Sequence, residues 1–291
     1  MSIRKKIINF LRWSEKYTET DMVYLVKGGF WLILGKLIIF TCSFLILIAF
    51  ANLVPREVYG TYQYVLSMVA VLVIFTLPGM DIALVGAVAR GKEATIFPCA
   101  KSKIKSGVAG GIVCLAISLY YFFQLNFALG VSFLIASLFL PIMDTFRLYY
   151  PFWQGKKRFD LQNKYFIASH LGGSAILILV LFLTNNLTII LLSYFLSHTF
   201  LRFIFFKITL KKITNQEEEK ETISFGKHLT LMQAVGIFGN QFDKILIWQF
   251  LGPVSLAIYS FAFLIVIRLR DLIPILPLAL PKLSEKNLLE V

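Results

Sequence analysis

Residues 28–53 read GGFWLILGKLIIFTCSFLILIAFANL, an apolar stretch with a single charged residue. A helix of about 20 residues crosses the hydrocarbon core of a bilayer, so this stretch is long enough to span it. Seven further apolar stretches follow, and the chain as a whole has a mean hydropathy of +0.76. The predicted spans are residues 28–53, 58–78, 107–123, 127–148, 165–184, 187–206, 229–250 and 254–280. The sequence therefore predicts an all-α polytopic membrane protein with about eight transmembrane helices.

Lysine and arginine lie almost entirely between alternate spans. Six precede the first span and only Arg56 follows it, while five lie between the second and third spans and none between the third and fourth. Short loops rich in Lys and Arg stay in the cytoplasm, so both termini are predicted to be cytoplasmic. The net charge of +13 then reflects orientation and contact with anionic membrane lipid, and it does not indicate nucleic-acid binding.

A basic leader, residues 1–27, precedes the first span. Its apolar residues recur every fourth position among cations, which favours an interfacial helix on the inner leaflet over a disordered basic tail. The first span is too long for a cleaved signal peptide. Cys42, Cys99 and Cys114 are scattered, and their spacing indicates neither a disulfide framework nor a metal site.

A weak internal repeat divides the chain. Residues 53–62 and residues 251–259 each place a Pro turn on the outer side before an apolar helix that begins with a small residue and a Tyr. Transporters are often built from such repeats, with the substrate held between the halves. We therefore expect a six-helix lobe over residues 1–224 and the first two helices of a second, incomplete lobe over residues 225–291. On this interpretation the chain is C-terminally truncated.

The connection between these lobes, residues 207–224, is the most polar part of the chain. It contains the run Glu217-Glu218-Glu219-Lys220-Glu221. A mixed charge run of this kind is typical of a solvated cytoplasmic linker, and an interaction motif is the alternative.

Five segments, in chain order, resemble the Wzx-type oligosaccharide flippases, the polysaccharide biosynthesis proteins of the MATE-like MOP superfamily. They are residues 53–62, 77–91, 153–159, 240–260 and 280–284. The resemblance implies a bacterial inner-membrane carrier that moves an undecaprenyl-pyrophosphate-linked oligosaccharide to the outer leaflet by rocking two six-helix lobes. It also implies a role in the synthesis of O-antigen, capsule or exopolysaccharide. Only the first lobe and the opening pair of the second match, so activity of this chain alone does not follow from the resemblance.

Charged groups near the centre of a membrane helix are costly, and those that are retained usually face a cavity or a partner. Lys36 in the first span is the clearest case. It is a candidate to meet the pyrophosphate of a carrier lipid through charge-assisted hydrogen bonds. The alternative is a lysine whose ammonium extends to the interface.

The seventh span carries a polar stripe. Gln233, Gly236, Asn240 and Asp243 recur at spacings of three and four, and Lys244 adjoins them. Such spacing places these residues on one side of a helix, as expected for a cavity lining. Asp243 and Lys244 could also form a neutralised pair, or a site for a coupling ion, H⁺ or Na⁺.

Tyr194, His198 and Arg202 lie four residues apart on the sixth span, so they share a face with cationic character. His170 on the fifth span lies among Ser169, Gly172, Gly173 and Ser174. Such small residues let another helix pack closely, which favours a packing role for His170. For His198, packing and contact with a phosphate or an acidic sugar remain open.

Asp144 and Arg147 lie at i and i+3 near the cytoplasmic end of the fourth span, close enough to form an ion pair. This pair either orders the helix end or acts as a gate. Asp81 and Arg90 are interpreted as marking the edge of the second cytoplasmic loop. Gly107 and Gly111 match the small-residue motif of packed membrane helices.

The sequence has no phosphate-binding loop, nucleophile elbow or zinc-protease motif, so no enzyme class is supported and no cofactor is predicted. We expect a flippase whose substrate path is lined by Lys36, His198, Arg202, Asn240, Asp243 and Lys244. The alternatives are an exporter of another substrate in the same superfamily, a membrane polysaccharide polymerase or ligase, and an inactive fragment.

Overall fold

The computed structural model describes the backbone of residues 22–272 and the side chains of residues 33–264. Nine α-helices account for most of this region. They are α1 Met22–Leu53, α2 Arg56–Leu72, α3 Gly79–Ala89, α4 Ile96–Phe123, α5 Phe127–Met143, α6 Tyr149–Gly155, α7 Phe159–Leu183, α8 Leu187–Leu210 and α9 Glu221–Leu272. Short 3₁₀ segments at Val73–Thr76, Glu93–Thr95 and Thr145–Leu148 link several of them. Most of the predicted leader, and residues 273–280 of the eighth predicted span, lie outside the described residues.

Within the described region, seven helical segments are long and apolar enough to cross a membrane. Only helices and closed barrels satisfy their backbone hydrogen bonds in hydrocarbon, and this chain uses helices. The prediction of an all-α, multi-pass membrane protein is confirmed.

The last of these segments, in α9, contains two antiparallel arms. The helix is interrupted at Gly252, whose φ of 81° and ψ of 178° form a conformation that glycine adopts readily and other residues rarely do. Pro253 then starts the second arm. Tyr259 donates a hydrogen bond to Asp243, 16 residues earlier. A straight helix would separate these residues by about 24 Å. The chain therefore reverses at Gly252, as predicted, so the last of the seven membrane-length segments folds into two arms.

The connections lie at two ends of the bundle. Residues 90–95, 156–158 and 211–220 meet at one end, through ion pairs that join Arg90 to Glu219 and Lys156 to Glu93. We call this the basic end; the positive-inside rule assigns it to the cytoplasm. The tight turns between α1 and α2, between α4 and α5, and between α7 and α8 lie at the opposite end, with the break at Gly252.

Three features of the basic end differ from the sequence prediction. Helix α4 begins at Ile96 rather than at residue 107, because Lys101, Lys103 and Lys105 lie within the helix and not in a loop. Helices α3 and α6 lie in regions that were not predicted as separate helices, and they pack against each other at this end. Met80 and Leu84 of α3, with Phe152 of α6, belong to a hydrophobic core at this end.

Glycines set the closest helix contacts. A Cβ atom on Gly107 would lie 2.9 Å from Cα of Pro141, and one on Gly111 would lie 3.0 Å from the carbonyl oxygen of Ser137. The predicted packing motif therefore holds α4 against α5. The contact at Gly60 of α2 is closer still, since a Cβ atom there would lie 1.8 Å from the carbonyl oxygen of Pro253.

The acidic connection between α8 and α9 is docked, not simply solvated. Arg90 donates two hydrogen bonds to Glu219 at 3.1 and 2.7 Å, and Lys92 pairs with Glu217. Thr214 donates its backbone N–H to the buried carboxylate of Glu93 at 2.9 Å. The Arg90 guanidinium holds the pKa of the Glu219 carboxyl below its ordinary value. This contact is therefore retained at neutral pH and lost as the pH falls through the lowered pKa.

The glycine contacts predict different outcomes for two similar substitutions. Gly60→Ala should lower the unfolding temperature of the detergent-purified protein, because the new methyl group displaces the second arm of α9. Gly239→Ala is the matched control, since no atom lies within 4 Å of its Cβ position and Ala favours a helix. Equal unfolding temperatures for the two variants would contradict the packing described.

The two ends of the bundle can be distinguished by labelling. Leu125 is 77% exposed in the turn between α4 and α5, and Gln216 is exposed at the basic end. A membrane-impermeant maleimide added to intact cells should label Leu125→Cys and should label Gln216→Cys only after permeabilisation. Cys42, Cys99 and Cys114 are buried and should give little background. Labelling of Leu125→Cys only after permeabilisation would invert the topology.

Candidate functional site

Four charged side chains near the basic end form what we call the buried charge cluster. Lys103 of α4 and Asp144 after α5 are buried, and Asp81 of α3 and Arg147 are partly exposed. The Lys103 Nζ lies 2.8 Å from carboxylate oxygens of both Asp81 and Asp144. Arg147 lies 2.6 Å from Asp81 and 3.3 Å from Asp144. The Lys103 side chain is fully buried. The cluster thus joins α3, α4 and the end of α5 in one closed ring of ion pairs.

The charges in this ring balance, with two carboxylates and two cations. Thr76 adds a hydrogen bond of 2.8 Å to the Asp144 carboxylate. A buried ion pair gains little net free energy over an apolar pair, but loss of one partner leaves an uncompensated charge. The ring therefore fixes the relative positions of three elements.

Sequence reasoning found only half of this cluster. The Asp144–Arg147 ion pair forms as its i, i+3 spacing predicts, and its role as a gate stays a prediction. The interpretation of Asp81 as a loop-edge marker was wrong, because Asp81 binds Lys103 and Arg147. One signal was available: Cys99, Lys103, Gly107 and Gly111 recur at a spacing of four, which places Lys103 on the face of α4 that packs.

Arg202 of α8 lies beside the cluster. Its Nη1 donates a hydrogen bond of 3.3 Å to the carbonyl oxygen of Met143, the residue before Asp144. Among the described residues no carboxylate lies within 4 Å of this guanidinium, so its charge is not neutralised by a contact ion pair.

His198 lies one turn from Arg202 and is buried between α7 and α8. Its Nδ1 is 3.0 Å from the carbonyl oxygen of Tyr194, and its ring centroid is 6.1 Å from that of His170. Gly173 provides the space, since a Cβ there would lie 2.7 Å from the His198 ring. The small-residue surface of α7 is thus covered by α8, and the two histidines face each other across it.

Lys36 is exposed on α1, which begins at Met22 and is longer than the predicted span. Its neighbour Gly35 packs on α7, where a Cβ would lie 3.0 Å from Oδ1 of Asn163. At the helical rise, Lys36 lies about 26 Å from the outer end of α1. With a hydrocarbon core of about 30 Å, this places Lys36 close to the inner headgroup level.

The polar stripe of α9 is partly open. Asn240 is exposed, and a Cβ on Gly236 would meet no atom within 4 Å. Asp243 accepts a hydrogen bond from Tyr259 rather than forming an ion pair with Lys244. The Lys244 Nζ lies 3.3 Å from Oε1 of Gln241 and 5.7 Å from the centroid of the Phe263 ring.

The predicted path residues lie on three helices: Lys36 on α1, His198 and Arg202 on α8, and Asn240, Asp243 and Lys244 on α9. They occupy different depths. From the outer end of their helices, Lys36 lies at about 26 Å, Arg202 at about 22 Å, His198 at about 16 Å and Lys244 at about 12 Å. The arrangement is a series of polar and cationic groups through the thickness of the bundle.

Comparison with known proteins identifies a family. A family model described as "Polysaccharide biosynthesis protein" matches residues 25–281. No curated protein matches the chain. No solved structure matches it either.

The buried charge cluster generates a stability prediction. Lys103→Met leaves the Asp81 and Asp144 carboxylates without their shared cation and should destabilise the fold by about 3–5 kcal/mol. Denaturation of the purified protein in mixed micelles measures this change. Lys105→Met, an exposed cation on the same helix, is the control and should change stability little.

A double variant tests whether unpaired charge is the cause. Adding Asp144→Asn to Lys103→Met removes one of the two carboxylates and should recover part of the lost stability. If the double variant were less stable than Lys103→Met alone, the loss would be due to packing instead.

Proposed function

Because this chain belongs to the polysaccharide biosynthesis protein family, we propose that it translocates a lipid-linked oligosaccharide across the bacterial inner membrane. The resemblance found in the sequence is confirmed at the level of the family. Membership gives the chain a role in polysaccharide biosynthesis or transport, and the fold makes it a multi-pass membrane protein. The proposal adds the cargo, an undecaprenyl-pyrophosphate-linked repeat unit, and the process, alternating access between two lobes.

The observation that carries the proposal is the series of cations at different depths. Lys36, Arg202 and Lys244 stand on three different crossing helices, with Lys36 near the inner headgroup level and Arg202 and Lys244 deeper. Retaining a charge in hydrocarbon costs about 2.5–3.5 kcal/mol at the helix centre on insertion scales, so charged groups at depth usually serve a pathway. A pyrophosphate consists of two linked phosphate groups and is negatively charged. Ammonium and guanidinium groups bind its oxygens through charge-assisted hydrogen bonds.

In the proposed sequence of events, Lys36 meets the pyrophosphate first because it lies near the inner headgroup level. Arg202 and His198 lie deeper, and the Arg202 guanidinium donates a hydrogen bond to the carbonyl oxygen of Met143. Asn240 and Lys244 lie nearer the outer side, on the open face of α9. The sugar would then follow the lipid headgroup through a polar interior rather than through hydrocarbon.

The buried charge cluster serves a different purpose in this proposal. It keeps α3, α4 and the end of α5 together while other helices move, or it opens as the gate considered for Asp144 and Arg147. Asp243, which hydrogen-bonds Tyr259 at membrane depth, is the proposed position for a coupling H⁺ or Na⁺.

Two substitutions in the chromosomal gene test the path. Lys36→Ala and Lys244→Ala each remove a charge-assisted hydrogen bond of about 1.5–3 kcal/mol, so binding should weaken about 10- to 100-fold. Surface polysaccharide should fall and lipid-linked oligosaccharide should accumulate, while the amount of protein in the membrane is unchanged. Lys36→Arg should retain most export.

The control is Lys105→Ala, which removes an exposed cation near the basic end. Export that is unchanged in both Lys36→Ala and Lys244→Ala would exclude these residues from the path. A deletion strain that exports normally, without accumulating the lipid-linked precursor, would overturn the flippase proposal itself.

A further inference from the structure

A pocket of about 440 Å³ lies at the end of the bundle opposite the basic end. It is formed where α1 ends, α2 begins and the second arm of α9 descends from Gly252. Its aromatic floor consists of Phe50, Tyr59 and Phe261, with ring centroids 4.8 Å apart for Phe50 and Tyr59 and 4.4 Å apart for Tyr59 and Phe261. The base of the pocket is therefore aromatic and closely packed.

The rim of the pocket opens to the surroundings of the bundle. Ala51 and Ile258 line it, and both are exposed, Ile258 by 55%. At this level the helices leave the hydrocarbon, since α1 ends at Leu53 and α2 begins at Arg56. A ligand that enters from the bilayer would thus place its chain along the rim and its head at the membrane boundary.

Arg56 supplies a positive charge to this pocket. It is the only Lys or Arg between Lys36 and Arg90 in the sequence. Among the described residues its guanidinium has no carboxylate within 4 Å, although Glu57 is its neighbour in the chain. The first backbone N–H groups of α2 also lie here, without a side-chain cap. An anion at this position would be favoured by both the guanidinium and the helix N-terminus.

Tyr59 belongs to the packed base of the pocket, where it is 2% exposed. Its hydroxyl oxygen accepts a hydrogen bond of 2.9 Å from Nε2 of Gln63. Arg56 therefore provides the charged contact for a ligand, and the aromatic rings provide an apolar one.

We propose that this pocket binds the phosphate group of an anionic glycerophospholipid from the outer leaflet. The phosphate lies against Arg56 and the first turn of α2, and one acyl chain runs over Ala51 and Ile258. The combination of one uncompensated cation, an apolar floor and a rim open to the bilayer fits an amphiphile better than a soluble anion. The bound lipid would fill the seam between α1, α2 and the second arm of α9. This inference does not depend on the transported cargo.

Native mass spectrometry of the detergent-purified chain with added phosphatidylglycerol tests the proposal. The parent protein should retain phosphatidylglycerol about 10-fold more tightly than phosphatidylcholine. Arg56→Gln should remove this preference, and Ile258→Trp should lower retention of both lipids because the indole fills the rim. Because Ile258 is exposed, this second variant keeps the test valid if Arg56→Gln folds poorly.

Two matched controls separate the site from general charge effects. Lys105→Gln removes a cation at the other end and should leave retention unchanged, whereas Glu57→Gln removes the neighbouring anion and should not weaken it. Equal retention of phosphatidylglycerol by Arg56→Gln and the parent would overturn the proposal. Preferential binding of undecaprenyl phosphate, with displacement of phosphatidylglycerol, would assign the pocket to the carrier lipid and also overturn it.

Discussion

The contact of Lys103 with two carboxylates is the constraint on which the basic end depends. Asp81 and Asp144 are both negative, and they can share one buried region only because a fully buried ammonium lies between them. Arg147 closes the ring, and Thr76 orients Asp144. Because a buried charge without its partner is strongly unfavourable, α3, α4 and the end of α5 cannot separate at this point without a replacement for each contact.

The same end also controls where α9 begins. The docked connection fixes residues 214–219 to the segment between α3 and α4, and Thr230 of α9 accepts a hydrogen bond of 3.0 Å from the backbone N–H of Gly79. Gly226 leaves space for Met80 in this contact. The helix that the sequence repeat assigns to a second lobe is therefore packed on α3 and α2 of the first. Any rocking between lobes would have to use the open side of α9, where a Cβ on Gly236 or Gly239 would have no atom of the described residues within 4 Å.

The sequence predicts what depends on local chemistry. Apolar length located the crossing helices and the turn at Gly252, and the i, i+3 spacing located the Asp144–Arg147 pair. Sequence patterns did not predict contacts between residues that are distant in the chain, such as the contact of Asp81 with Lys103 and that of Glu93 with Thr214. Hydropathy also placed the start of α4 too late in the chain, because a lysine was taken as a sign of solvent although Lys103 is neutralised inside the fold. Helices α3 and α6 escaped prediction because they are short, and their burial arises from tertiary packing.

The contacts of the cations divide them into two kinds. Lys103 and Arg147 are matched by carboxylates, so their charges act within the protein and present little field to a ligand. Arg202 and Lys244 are held by a carbonyl oxygen and by an amide oxygen with an aromatic ring. Such neutral acceptors fix the geometry of a cation without cancelling its charge. An anion passing through the bundle would therefore be attracted by the second kind and not by the first, so pairing, rather than burial alone, separates structural cations from those that can act on a substrate.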